Sequence, residues 1–142
     1  GNIVLEFKRC NIGLVIKVYD EDFFDSIKKA LTSLGVKSGF ITGIGALDKV
    51  KLGFYDWDAK KYRIIEINKP LELASLTSVI SEDGDDLMLH AHVVLGDEER
   101  TYAGHLVSAH VKYFEGIVIA VDKKLYRVLS EYLGFKELKV GD

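Results

Sequence analysis

The chain has 142 residues, 48% apolar and 29% charged, with a formal net charge of −3. That composition reads as one soluble globular domain with a proper core, and no apolar run approaches the roughly 20 residues a membrane-crossing helix needs. Cys10 is the only cysteine, which excludes an internal disulfide and any multi-cysteine zinc site, and the negative balance is poor footing for contacts with a phosphate backbone. The basic residues are scattered as Lys28-Lys29, Lys49, Lys51, Lys60-Lys61 and Lys123-Lys124, with no dense run. The sequence does not open on a signal peptide, so the expected location is the cytoplasm, with no membrane partner.

Taken in order, Asn2–Arg9 and Gly13–Tyr19 read as two short strands parted by a hairpin turn at Asn11–Gly13. The clearest helix is Asp22–Leu34. Asp20, Glu21 and Asp22 stand at its start, where carboxylates cap free N–H groups and suit the positive end of the dipole. Phe23, Phe24, Ile27, Ala30, Leu31 and Leu34 make one stripe for packing on a sheet, and Gly35 is the natural stop. Strands are expected over Gly39–Leu47, Lys49–Trp57 and Lys61–Ile67, with a hairpin loop at Asp56–Lys60. Gly39, Gly43, Gly45 and Gly53 are dense for strands and point to bulges, bends or close backbones. Gly43-x-Gly45 is not a phosphate loop: Asp48 fills the third glycine's slot and no long helix follows, so strand bends and close subunit packing are the expectation. Phe54, Tyr55, Trp57 and Tyr62 lie on a strand pair; aromatic platforms can stack bases, but core or subunit interface is the commoner use.

Pro70 lies between elements. Leu71–Ile80 is a further strand, followed by an acidic turn at Ser81–Asp86 that lacks the spaced ligands of a calcium loop. Glu115–Val121 reads as a buried strand. Lys123–Leu133 is expected to be a short helix with Leu125, Val128, Leu129 and Leu133 inward, and Leu138–Val140 a last strand. One α+β domain over residues 1–142 results: an antiparallel-rich mixed sheet with one main helix packed on it.

Three of the four histidines fall within Leu87–Leu106. This stretch reads as a β-hairpin turning at Gly96–Arg100. Alternate residues of a strand share a face, so His90 and His92 point the same way, about 7 Å apart. Pairing Leu95 with Arg100 sets His90 opposite His105, leaving an apolar face of Leu89, Val93, Tyr102 and Leu106 behind a histidine face. A one-residue slip would scatter the histidines. His110 has the opposite parity and should point away. Three imidazoles on neighbouring positions of one face suit zinc or another divalent metal, with a fourth position open as in hydrolytic zinc sites. The alternative is a metal-free polar groove. A hydrolase would also want a carboxylate base. Glu66, Glu72, Asp83 and Glu115 are available, but spacing selects none, so no catalytic residue is assigned and an enzyme is not the first expectation. Cys10 has no histidine partner in view and is not a nucleophile candidate.

GFITGIGALDKVKLGFYD (Gly39–Asp56), LELASLTSVIS (Leu71–Ser81) and LHAHVVLGDEERTYAGHL (Leu89–Leu106), in that order, resemble the plants-and-prokaryotes-conserved (PPC) domain family. The resemblance runs roughly from Val15 to Val121. It implies a single α+β domain that assembles as a homotrimer, and a candidate DNA-binding or regulatory role like that assigned to stand-alone prokaryotic members. The family's His-x-His and Gly-Gly-His-Leu pattern maps onto His90, His92 and Ala103-Gly104-His105-Leu106, with Ala103 in place of the first glycine. The AT-hook carried by plant members has no counterpart, since no Gly-Arg-Pro core is present. DNA as a partner therefore rests on family analogy alone. The alternative is a metal-dependent enzyme or small-molecule binder built on His90, His92 and His105.

Overall fold

A computed structural model describes residues 4–142. Ten strands and one helix follow in the order β1 (Leu5–Cys10), β2 (Gly13–Val18), β3 (Glu21–Asp22), α1 (Phe23–Leu34), β4 (Gly39–Asp56), β5 (Lys61–Ile67), β6 (Leu71–Asp83), β7 (Asp86–Gly96), β8 (Thr101–Ala120), β9 (Leu125–Leu129) and β10 (Lys136–Val140). The α+β class with one main helix is as expected. The proposed start of the first strand at Asn2 lies outside the described residues.

The helix forms where its end signals stand. Asp22 accepts the Asp25 N–H at 2.9 Å, and Gly35 takes the left-handed conformation that lets Val36 N–H reach the Leu31 carbonyl. Phe23, Ile27, Ala30 and Leu31 are fully buried, and Phe23 meets Phe114 of β8 edge-on at 5.4 Å.

Two long strands organise the sheet. β4 pairs with β8 along nearly its whole length, and on its other edge with β6 and then β5. β7 pairs with both β6 and β8. Each of β4, β6, β7 and β8 therefore pairs with two others of the four, and the ring closes. Its interior is apolar: Leu52, Leu73, Leu76, Val93, Leu95 and Leu106 are each at most 2% exposed. The two strands expected over residues 39–57 are one, kinked by bulges near Gly43–Gly45 and Asp48–Lys51. At Gly45 a β-carbon would sit 2.0 Å from the Tyr113 carbonyl oxygen, so the glycines serve close backbone approach, as their density implied.

One element differs in kind. The expected helix at Lys123–Leu133 is instead strand β9 followed by a turn. Leu125, Val128 and Leu129 follow helical spacing, but β9 pairs with β10 over five residues, and Leu129 is left 64% exposed. Pairing with a distant partner outweighs a weak local preference there.

Candidate metal centre and aromatic cleft

β7 and β8 form the expected hairpin, in a different register. His92, not His90, lies opposite His105, and the last pair is Gly96 with Thr101. The cause is the turn. The Asp97 carboxylate accepts N–H groups from Glu99 and Arg100 at 2.8 Å each, so the loop begins at Asp97 and not at Gly96. The shift is two residues, which preserves parity. His90, His92 and His105 share the outer face, and Leu89, Val93 and Leu106 the inner one.

Pairing of β7 with β8 starts at His92, and the earlier part of β7 pairs only with β6. The histidines thus sit at the fork where the two strands part. Ring centroids are 5.1 Å apart for His90–His92 and His90–His105, and 5.6 Å for His92–His105. One nitrogen from each can be chosen so that all three lie within 4.8 Å of one another. Ligands on one tetrahedral zinc stand roughly 3.3 Å apart, a difference the soft χ2 torsion of histidine can close. Among the described residues Nδ1 of His105 is buried without a hydrogen-bond partner, so no protein bond competes for that nitrogen. Burial, then the neighbouring His105 and His92 and the Arg127 charge, push the His90 pKa down to about 4. Burial and then His92 lower that of His105. Neutral imidazole is the form that binds metal.

A cleft of about 740 Å³ opens beside these rings. Its wall comes from three places in the chain. β4 and β5 bring Tyr55 and Tyr62, the loop between them brings Trp57, and the β9–β10 hairpin brings Arg127, Phe135 and Lys136. Gly53 pairs with His105 on one side and Ile64 on the other. A β-carbon there would meet Tyr62 at 2.9 Å, and in the space a glycine leaves, Tyr62 stacks on His105 at 4.7 Å with the planes 28° apart. Tyr55 meets the edges or faces of Trp57, Tyr62 and Phe135 at 5.0, 5.1 and 5.2 Å, and its hydroxyl donates to the Leu133 carbonyl. The aromatics expected as core or interface therefore line the cleft. Phe135 and Arg127 escaped the sequence reading because their segment passed for a helix. The available signal was two short runs, Leu125–Leu129 with Tyr126 and Val128 and Lys136–Val140 with alternating Leu138 and Val140, about a glycine-containing turn.

None of the carboxylates considered as a base lines this cleft. Glu66 faces Lys51 at 3.5 Å, Glu115 accepts from the Tyr113 hydroxyl at 2.7 Å, and Glu72 lies on another surface. Asp83 borders a smaller neighbouring depression that shares His90 and His105, but its carboxylate is held by Lys136 at 2.7 Å. Cys10 is half-buried near the far edge of the sheet, on β1. His110 is apart from the cluster, between Asp48 at 2.6 Å and Asp20 at 2.9 Å, but not by parity: a bulge between Leu106 and Ser108 breaks the alternation, and distance along β8 separates it from the other three. No helix among the described residues is long and apolar enough to cross a membrane.

No curated protein matches the sequence. Among solved structures, a metal-containing protein from Archaeoglobus fulgidus is 30% identical, with a TM-score of 0.86 over 97% of this chain and 99% of the other. A plant- and prokaryote-conserved protein from Pyrococcus horikoshii is 28% identical, with a TM-score of 0.83 over 95% and 94%. A candidate DNA-binding protein from Bacteroides thetaiotaomicron, 24% identical, shares the fold with a TM-score of 0.89 over 96% and 98%. The family model of the Plants and Prokaryotes Conserved domain matches residues 14–122. With three imidazoles on the hairpin that carries the family's histidine pattern, and that match across most of its length, the chain belongs to the Plants and Prokaryotes Conserved domain family.

Proposed function

We propose that this protein is a binding module, residues 1–142 acting as one PPC-type domain, whose working site is a divalent metal held by His90, His92 and His105. Zinc is the first candidate, from the all-nitrogen ligand set. The carrying observation is the convergence of three imidazoles with a buried, unpartnered nitrogen on His105. The metal-containing relative from Archaeoglobus fulgidus adds support. When bound, the ion would supply Lewis acidity at a position left open by three protein ligands. The chain's own residues do the rest: burial keeps His90 and His105 neutral, Tyr62 fixes the His105 ring, and the aromatic wall narrows access to water. With no carboxylate on the cleft wall to serve as general base, the geometry favours binding over hydrolysis.

The test is elemental analysis of tag-free protein beside His92→Ala. About one metal per chain in the wild type, lost in the variant, is the expected result. Equal metal in both, or none in either, would reject the site.

A regulatory role on DNA is a second reading, favoured by the descriptions of the Bacteroides relative and of one from Ralstonia eutropha. Against strong duplex binding stand the net charge of −3 and the pairing of Lys17, Lys28, Lys51, Lys69, Lys136 and Lys139 with carboxylates. Affinity for a duplex should fall steeply between 50 and 200 mM salt (a range over which several phosphate contacts are felt). No binding at the lower salt would remove this reading.

The proposed assembly is a homotrimer in the cytoplasm. Val15, Ile44 and Ile117 lie on the outer sheet face at 44–52% exposure, a row of apolar side chains suited to a partner subunit. Sedimentation should give three times the 15.9 kDa chain mass, and a monomer would refute the assembly.

A further inference from the structure

We propose that the cleft beside the histidines receives a small aromatic carboxylate, its ring against Tyr55, Trp57 and Phe135 and its carboxylate between the metal and the Arg127 guanidinium. This rests on the metal reading above and adds the chemical class of the ligand.

Charge comes first. Among the described residues no aspartate or glutamate lines the cleft. Three neutral imidazoles leave a divalent ion's charge uncompensated by protein, so the remaining partner of the ion is best an anion. Two cationic side chains also face the cleft, and they differ. Lys136 is paired directly with Asp83 at 2.7 Å, whereas Arg127 feels that carboxylate's charge without a bond to it. The Arg127 Nε donates to the buried Ser81 hydroxyl at 2.8 Å, while among the described residues neither Nη group has a hydrogen bond or ion pair. A guanidinium anchored at one end with its fork free is built to take a planar carboxylate. One free fork suits a monoanion better than a polyanion.

The apolar part follows from the wall. Tyr62 already covers His105 with its face, so the surface left for a ligand is that of Tyr55, Trp57 and Phe135. Trp57 is 65% exposed at the mouth, a large apolar area that a flat ring would cover. A cleft of about 740 Å³ falls within the range of small-molecule sites.

The experiment uses the full chain, tag-free and zinc-loaded. Benzoate is titrated by calorimetry beside acetate, which has the charge without the ring, and benzyl alcohol, which has the ring without the charge. Trp57 is the only tryptophan, so its emission reports binding in the cleft. Benzoate should bind at least about tenfold tighter than either control and change the Trp57 emission. Arg127→Gln should weaken benzoate at least about tenfold at unchanged zinc content, with Arg127→Lys between the two. If Arg127→Gln does not fold, Arg127→Lys carries the test and must bind at least about threefold more weakly than wild type. Benzoate no tighter than acetate, or unaffected by the variants at full zinc content, overturns the ligand class and leaves the metal reading standing. If zinc does not bind, the metal reading falls separately. Arg127-dependent benzoate binding to the metal-free chain would then sustain the anion cleft, and its absence would overturn it. A Trp57 response to oligothymidylate but not to benzoate overturns the proposal in favour of single-strand stacking.

Discussion

His105 and His110 stand on the same strand, yet the fold gives them opposite chemistry. His105 looks outward among two other histidines and a stacked tyrosine, and burial lowers its pKa. His110, further along β8 past a bulge, is held between two carboxylates, and its bond to Asp48 first, then that to Asp20, raises its pKa above burial's opposing pull. A bulge in β8 between Leu106 and Ser108 offsets the odd spacing, so both side chains leave the core side and it is their neighbours that separate their roles. One histidine is kept neutral and available to a metal. The other ties the Asp20 turn before α1 to the β4 bulge.

The largest difference should appear in metal content. His105→Ala should reduce zinc affinity by more than the roughly 10–100-fold typical for losing a supporting partner, while His110→Ala leaves stoichiometry unchanged. Equal losses in both would erase the distinction between the two sites. The residue after His105 contrasts with it in stability. Leu106 is 2% exposed in the ring interior, so Leu106→Ala should cost about 2–5 kcal/mol in denaturant unfolding. His105→Ala in metal-free protein should cost far less. Gly53→Ala sharpens the outer face further. Its β-carbon would displace Tyr62 from His105, and chelator competition should show zinc held on the order of tenfold more weakly.

The smallest effect is one of sign. In metal-free protein the folded pKa of His90 is about 4, below the unfolded value of 6.5. Between the two the unfolded chain binds more protons, so this group makes stability fall as pH drops from 6.5 towards 4. The folded pKa of His110 lies above 6.5. Its contribution is fully present below that value and is lost as pH rises through the folded pKa. Denaturation midpoints measured in chelator from about pH 4.5 to 8.5 should lose the acid-side slope in His90→Asn and the opposite slope in His110→Asn. Parallel profiles for the two variants would refute the assignment.

Much of this was legible in the chain. The helix ends, the glycine-marked bulges and the shared face of His90, His92 and His105 follow from local rules of capping, close approach and two-residue alternation. The hairpin register was off by two residues, because which residue opens the turn depends on the Asp97 side chain and not on polarity alone. The histidine face survived that error because an even shift cannot change it.

Sequence by itself thus determined the fold class, the family motifs and the three imidazoles, all carried by short-range periodicity and spacing. Tertiary structure decided what stands beside them. Tyr55 and Tyr62 reach the cleft through the β4–β5 pair, and Arg127 and Phe135 through a β9–β10 hairpin whose local pattern imitated a helix. Contacts between residues so far apart in the chain depend on which strands pair. That is settled by the burial of the whole sheet and not by any one segment.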